Sequence, residues 1–196
     1  MDTHTRTRTR QISFTLCLLF AAAVFLTQRP EPARSTLSIH GATTEEERTI
    51  DWALRRYRTA GLDTMPALEV HLHRSHSHCG GGIGLYHAGR IDLCTKDSSD
   101  PYQRKFALHE MAHAWTEANV SSEVLERFMD ARAISAWNDR SFPWKERGIE
   151  QVAEIITWGL GEGEIAPLLP GSVDARGLAD LYEMLTGRRP VTPAAL

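Results

Sequence analysis

Residues 108–115 read LHEMAHAW, in which His109, Glu110 and His113 form the five-residue pattern HExxH. The chain from about Asp100 onward has apolar residues at helical spacing, so we expect this pattern to lie on an α-helix. Residues four apart on an α-helix point in nearly the same direction, because each residue turns the chain by about 100°. The two imidazoles therefore lie one above the other and can hold one metal ion, with the Glu110 carboxylate beside them.

A later helix, predicted over residues 148–160, supplies a candidate third ligand. Its sequence, GIEQVAEIITWGL, places Glu150 and Glu154 four residues apart on one face of a helix that is otherwise largely apolar. Two carboxylates on a buried stripe need a cation close by, because an unpaired buried charge is costly. We therefore expect Glu150 to complete the metal site. A solvated acidic face is the alternative.

HExxH followed by a glutamate from a later helix resembles the gluzincin metallopeptidases. In that clan the later helix reads E-x-x-small-(acidic or Asn), and Glu150, Ala153 and Glu154 stand at these positions here. The resemblance implies a zinc ion bound by His109, His113 and Glu150. It also implies that Glu154 orients one of the two histidines. The reverse assignment, with Glu154 as the ligand and Glu150 in support, stays open.

This resemblance is local and covers less than half of the chain. Residues 79–160 also resemble small exported bacterial metallopeptidase-like proteins of uncharacterised families, through the elements at 137–138 and 144–148. Many gluzincins supply a Tyr or His donor to the oxyanion from beyond the glutamate helix. Here only Tyr182 follows that helix, in a segment predicted to be structural. The other candidates for the donor are Tyr86, His87 and Arg147.

The expected ligand set indicates a catalytic site. Two neutral imidazoles and one carboxylate leave a zinc ion with an open position. Zinc there lowers the pKa of a bound water towards 7, and Glu110 accepts the proton of that water as general base. We therefore predict a zinc-dependent peptidase that hydrolyses peptide bonds of a peptide or protein substrate. The alternatives are a catalytically inactive zinc-binding protein with a structural or interaction role, and a metal-dependent amidase acting on a non-peptide bond.

The segments before the HExxH helix predict an α+β fold. Residues 43–62, TTEEERTIDWALRRYRTAGL, begin with acidic residues, continue with apolar residues at helical spacing and reach a glycine, as a helix does. Residues 68–73 alternate apolar and polar side chains, which is typical of a strand. Residues 82–95 predict a hairpin with an Ala-Gly turn. We expect a zincin-like fold with a small, mostly antiparallel sheet, whose edge strand near residues 82–87 can hold an extended substrate.

After the HExxH helix the pattern stays helical to the end of the chain. We predict helices over residues 122–135, 148–160 and 172–186, with a loop rich in turn-forming residues between the first two. Residues 36–196 then form one zincin-like domain with a C-terminal helical part.

The N-terminal segment is typical of a targeting sequence. Residues 12–26, ISFTLCLLFAAAVFL, are 15 uncharged and mostly apolar residues that follow three arginines. This length lies between a signal-peptide core and a membrane-spanning helix, so we interpret residues 1–35 as a signal peptide or membrane anchor plus linker. The positive-inside rule keeps the arginines in the cytoplasm. We therefore expect an extracytoplasmic protein, secreted or anchored by a single N-terminal membrane segment.

The charge balance argues against a nucleic-acid partner. The 196 residues carry a formal net charge of −3, and no long basic run follows the N-terminal arginines. A phosphate-binding surface depends on such a cluster of cations. The sequence does not indicate the oligomeric state or the cleavage preference.

Two cysteines bracket the predicted hairpin and its glycine-rich start. In an oxidising compartment Cys79 and Cys94 can form a disulfide that closes a loop of about 15 residues, which is worth roughly 3 kcal/mol. Two unpaired buried thiols are the alternative.

Four further histidines lie in the run HLHRSHSH, residues 71–78. Two of them share one strand face and the others lie in a Ser-rich turn, so we interpret the run as a solvated loop instead of a second metal site. Two tryptophans lie on the helices expected to bear the metal ligands. We expect these side chains, Trp115 and Trp158, to wall the site, that is, to line the cavity around the metal.

Overall fold

The computed structural model of the chain describes residues 36–95, 100–162 and 165–191. The predicted targeting segment, residues 1–35, lies outside the described residues. No helix in the described ranges is both long enough and apolar enough to cross a membrane. The interpretation of residues 1–35 as a signal peptide or an anchor therefore stays a prediction.

Four strands and five α-helices form the α+β fold of the described residues, so the predicted class is confirmed. Short 3₁₀ helices lie at His76–Cys79 and Trp144–Glu146. In chain order the other elements are β1 (Leu37–His40), α1 (Thr44–Thr59), β2 (Leu68–His73), β3 (Gly84–His87), β4 (Arg90–Cys94), α2 (Asp100–Asn119), α3 (Ser122–Arg132), α4 (Gly148–Leu160) and α5 (Ala175–Thr186).

The sheet is small and mixed, with the strand order β1-β2-β4-β3. The β1–β2 and β2–β4 pairs are parallel, and the β3–β4 pair is antiparallel. The prediction of a mostly antiparallel sheet is therefore wrong. The reason is that residues 37–40 form a strand, and α1 carries the chain back so that β2 runs in the same direction as β1. β3 then takes the edge position, and the turn after it directs β4 parallel to β2.

The predicted hairpin is present, and its turn explains the Ala-Gly pair. Ala88 and Gly89 have φ values of +48° and +84°. Two successive positive φ values give the tight turn whose twist matches the twist of the flanking strands. The hairpin places β3 at the edge of the sheet, and among the described residues no strand pairs with its other side.

The predicted helices are present with small shifts at their ends. α1 begins with a capping box, in which Thr43 Oγ1 accepts from the Glu46 backbone N–H at 3.3 Å and the Glu46 carboxylate accepts from the Thr43 N–H at 2.8 Å. α3 ends at Arg132 instead of 135, because Ala133 adopts a left-handed backbone with φ +51°. α5 begins at Ala175 instead of 172, since Asp174 caps it.

The helices α2 and α4 share the most extensive contact between helices of the fold. Residues 107–116 of α2 and residues 151–160 of α4 are buried without interruption. The Tyr57 hydroxyl of α1 donates to the Leu108 carbonyl of α2 at 2.9 Å and fixes α2 from its other side. Polar side chains on the facing sides of α2 and α4 therefore meet in surroundings from which water is largely removed.

Candidate metal centre

His109, His113 and Glu150 converge where α2 faces α4. The Nε2 atoms of His109 and His113 lie 3.1 Å and 3.3 Å from Glu150 Oε2. The three ligand atoms all lie within 4.8 Å of one another. The side chains are 5%, 8% and 13% exposed, in the same order. Two imidazole nitrogens and a carboxylate oxygen thus share one small, nearly buried volume.

The chemistry of these donors fits a metal ion. Neutral imidazole and carboxylate are ligands of zinc and of several other transition metals. The two rings stand nearly perpendicular, at 85°, with their centroids 4.9 Å apart, so their edges can point to a common centre. No other group of three His, Cys, Asp or Glu ligand atoms converges in this way in the part of the chain that the structure describes. The group can bind a metal ion, and its donors do not by themselves select which one.

The electrostatics of the group show strong mutual stabilisation of charge. Burial alone would lower the pKa of His109, but the hydrogen bond to Glu150 and the nearby Glu154 carboxylate outweigh it and raise that pKa to about 10. Burial likewise would raise the pKa of Glu150, yet the imidazoles of His109 and His113 lower it to about 2. Without a metal, a proton on His109 therefore compensates the buried carboxylates.

Glu154 supports His109 from the side opposite to Glu150. Its Oε1 lies 3.1 Å from His109 Nδ1, an ion-pair distance, although the angle there is outside hydrogen-bond geometry. Its Oε2 accepts from the Leu168 backbone N–H at 2.6 Å and from Lys105 Nζ at 3.0 Å. The two glutamates of α4 therefore occupy different positions: Glu150 faces both Nε2 atoms, and Glu154 faces the outer nitrogen of one ring.

Glu110 is buried beside the metal group and contacts the edge strand. It is 5% exposed, and burial raises the pKa of its carboxyl group, although the two neighbouring histidines oppose this effect. A Cβ atom added to Gly84 of β3 would overlap the Glu110 carboxylate. The Tyr86 backbone also hydrogen-bonds Glu110 and favours its ionised form. Sequence reasoning missed the role of Gly84, and only the glycine-rich run before Leu85 hinted at a close backbone approach.

A cavity of about 610 Å³ opens in front of these residues. Residues 82–86 of the edge strand region line one part of it, and residues from the loop before α4 line another. The Trp144 ring, 39% exposed, stacks over His109 with ring centroids 5.6 Å apart. The expectation that Trp115 and Trp158 wall the site is wrong, because both rings are buried in the core and neither lines the cavity.

The candidates for an oxyanion donor differ in their position. Tyr86 and Arg147 line the cavity, whereas His87 is exposed elsewhere and Tyr182 is buried under α4. The Tyr86 hydroxyl donates to Glu117 Oε2 at 2.6 Å, and burial, followed by this bond, raises the pKa of Tyr86 to about 12. Tyr86 is therefore a neutral donor that is already engaged, and its role in the oxyanion site stays a prediction.

The predicted disulfide is confirmed: Cys79 and Cys94 are bonded, with their Cα atoms 6.2 Å apart. Cys79 lines the cavity at the start of the hairpin, and Cys94 ends β4. The bond closes a loop whose ends are 15 residues apart. It thus restrains the segment that carries Gly84 against Glu110.

The histidine run lies on the sheet and the turn after β2. The His71 ring stacks on His40 at 4.5 Å, and the His73 ring stacks on His78 at 4.2 Å, measured between centroids. His73 Nε2 also lies 2.6 Å from Asp92 Oδ1. The run joins no three-ligand group among the described residues.

Comparisons of the chain with protein-family models, with curated proteins and with solved structures gave no match. The fold and the site therefore define the class of protein by themselves: an α+β protein with a buried His-His-Glu group that can bind a metal ion.

Proposed function

We propose that this chain is a zinc-dependent peptidase that acts outside the cytoplasm. One observation carries the proposal: the two HExxH imidazoles and Glu150 converge within 4.8 Å, and Glu110 lies beside them. The disulfide between Cys79 and Cys94 is compatible with an oxidising compartment. Zinc is favoured because it accepts nitrogen and oxygen donors in a tetrahedral arrangement and keeps an open position when the protein supplies three ligands.

His109, His113 and Glu150 would hold the zinc ion. When bound, zinc supplies Lewis-acid activation of a water molecule and of the scissile carbonyl. Glu154 orients His109 through the outer ring nitrogen, and Lys105 and the Leu168 amide hold Glu154 in place.

Glu110 acts as the general base and then as the general acid. Its buried carboxylate accepts a proton from the attacking water and returns it to the departing amine. Burial raises the pKa of Glu110, which strengthens it as a proton acceptor. Its contact with Gly84 fixes the carboxylate between the edge strand and the metal group.

The substrate is a peptide or protein segment in extended conformation. β3 lies at the sheet edge and its residues 84–86 line the cavity. The Tyr86 backbone is engaged by Glu110, so the remaining outward-facing backbone groups of β3 would pair with a substrate strand. Nucleic acid is not an expected partner, in keeping with the net charge of −3.

The test uses the full-length chain, loaded with zinc and incubated with a diverse peptide mixture that is analysed by mass spectrometry. We expect cleavage by the parent chain and a loss of at least about 100-fold in Glu110→Gln, with zinc retained. Glu150→Ala is expected to lose zinc as well as cleavage. Glu146→Ala, an exposed acid on the preceding turn, is the matched control and should keep both.

The other outcomes separate the alternatives. Zinc binding without cleavage of any peptide or amide substrate identifies an inactive zinc-binding protein. Cleavage of a non-peptide amide but of no peptide identifies an amidase. Cleavage that is undiminished in Glu110→Gln contradicts the assigned base.

A further inference from the structure

The loop before α4 brings two arginines to the cavity of the candidate metal centre. Arg140 and Arg147 line the same cavity as His109, His113 and Glu150. Trp144, between the two arginines in sequence, stacks over His109 and places this part of the loop next to the metal group. The two arginines therefore belong to the surface that a bound substrate would face.

The charges that line the cavity do not balance once a divalent ion is bound. The acidic residues of the lining are Glu110, Glu150 and Glu154, and the basic ones are Lys105, Arg140 and Arg147. Lys105 pairs with Glu154 at 3.0 Å. A divalent cation offsets the other two carboxylates. The two arginine charges are then left over, so the loaded cavity favours an anionic group.

Arg147 is held in a fixed orientation by its own loop. Its Nε donates to the Phe142 carbonyl at 3.0 Å, and one terminal nitrogen donates to the Arg140 carbonyl at 3.4 Å. The positive charge of Arg147 is the smallest of the causes that lower the pKa of Asp139, a residue outside the cavity lining. No carboxylate of the described residues lies within ion-pair distance of Arg140 or Arg147.

We propose that Arg140 and Arg147 bind a carboxylate of the substrate, so that the site selects peptides with an acidic side chain or a free C-terminus near the scissile bond. This inference rests on the proposed function. Arginine suits the task because its planar guanidinium carries several N–H donors for a carboxylate. Arg147 uses Nε and one terminal nitrogen within its loop, so its other terminal nitrogen and the Arg140 guanidinium would make the contact. The partial desolvation of Arg147, which is half-buried at the start of α4, strengthens such a pair relative to one in open water.

The test measures binding, not cleavage, so that it does not depend on turnover. The zinc-loaded full-length Glu110→Gln chain is titrated calorimetrically with an N-acetylated, C-amidated alanine peptide. The same titration is made with peptides that carry one glutamate at each position in turn, and with peptides that carry glutamine at the same position. A further titration uses the alanine peptide with a free C-terminus. We expect one carboxylate source to bind roughly tenfold more tightly than its neutral counterpart, and the advantage to fall as salt rises.

Three further variants assign the preference to the arginines. Arg140→Gln and Arg147→Gln should each remove most of the advantage, and Arg147→Lys should retain part of it through its charge. Arg176→Gln, an exposed arginine outside the cavity lining, is the control and should bind like its parent. If Arg147→Gln fails to fold, Arg140→Gln and Arg147→Lys still decide the outcome.

Two results would overturn the inference. One is equal affinity for the charged and neutral peptides in the parent. The other is an advantage that persists in the arginine variants, since the zinc ion alone would then bind the carboxylate. Failure of the proposed function is seen separately, because a chain without zinc or cleavage disproves the peptidase. In the zinc-free Glu110→Gln chain the two arginines still outnumber Glu150, the one lining carboxylate that Lys105 does not pair, so the same titrations still report whether the arginines select a carboxylate.

Discussion

His109 has a different partner on each of its two ring nitrogens, and this determines how the site responds to pH. Nε2 faces Glu150 and Nδ1 faces Glu154, both at 3.1 Å. A metal ion must replace the proton on Nε2, because only a neutral imidazole can act as a ligand. The two carboxylates that orient the ring thus also favour the protonated ring that competes with the metal.

We predict that metal binding releases the proton of His109 and, with the partly ionised zinc-bound water, at least about one proton per ion near pH 7. The pKa of His109 in the metal-free protein is raised to about 10, so the ring carries a proton at neutral pH and gives it up on binding. Affinity should rise about tenfold per pH unit and level off as the pH passes this pKa. Calorimetric titration with zinc in buffers of different ionisation enthalpy measures the number of protons released per ion. Glu154→Gln, which removes one stabilising carboxylate, should lower the number released at pH 8, and release of no proton by the parent would contradict the charged ring.

Gly84 gives a second prediction at this scale. An alanine there would place its Cβ on the Glu110 carboxylate, and overpacking of this kind costs about 1–3 kcal/mol. Gly84→Ala should therefore lower the free energy of unfolding by that amount. The same substitution in a Glu110→Ala background should cost less, because the overlapping atoms are gone. Urea unfolding of the four proteins measures the difference, and equal costs in both backgrounds would show that Glu110 does not face Gly84.

Among the elements, α1 is joined to the sheet through one buried acid, Glu46. Its side chain is 7% exposed. Besides capping its own helix, it pairs with Arg74 after β2 and accepts from Thr95 Oγ1 after β4 at 3.0 Å. The hydrogen bond from Arg74 is the main cause that lowers the pKa of Glu46 to about 2. One carboxylate thus connects the start of a helix to the ends of two strands.

We predict that Glu46→Gln destabilises the fold by about 2 kcal/mol at pH 7 and by much less near pH 2. The folded pKa of about 2 lies below the ordinary value of 4.5. The contribution is therefore complete above about pH 5 and is lost as the pH falls through the folded pKa. Urea unfolding of parent and variant across this range tests the sign. Glu47→Gln, an exposed acid on the same helix, should change stability by less than about 0.5 kcal/mol at any pH.

The elements also show which features a sequence can predict. Helical and strand periodicities are local, so α1, β2, the hairpin, α2 and α4 followed from spacing, and the HExxH histidines followed from one helical turn. β1 did not, because four residues after a proline-rich linker carry too short an alternation. Because β1 was not predicted, the sheet was expected to be mostly antiparallel, whereas β1–β2 and β2–β4 are parallel. The contacts of Gly84 and Trp144 with the site depend on how distant segments pack, which no local pattern encodes.

In the whole molecule, the candidate metal centre joins segments far apart in the chain. His109 and Glu150 are separated by 41 residues. α4 is in turn pressed onto α5, since a Cβ at Gly159 would overlap the buried Tyr182 ring. An ion held by both α2 and α4 therefore cross-links two buried helices whose ligands lie far apart in the chain. The free energy of its binding adds to the stability of the fold.

We predict that zinc raises the stability of the whole domain and that Glu150→Ala abolishes the effect. A ligand that binds only the folded state at 100 times its Kd adds about 2.7 kcal/mol. For a protein of this size that corresponds to a rise of roughly 5–10 °C in Tm. Thermal unfolding of the full-length chain with increasing zinc, and then with excess chelator, measures the effect and its reversal. Glu146→Ala should behave like the parent, because its exposed side chain lies outside the group. Only an ion bound between α2 and α4 makes the rise in Tm depend on Glu150. A Tm that does not change with zinc, or that rises equally in Glu150→Ala, would therefore mean that the two helices do not share an ion.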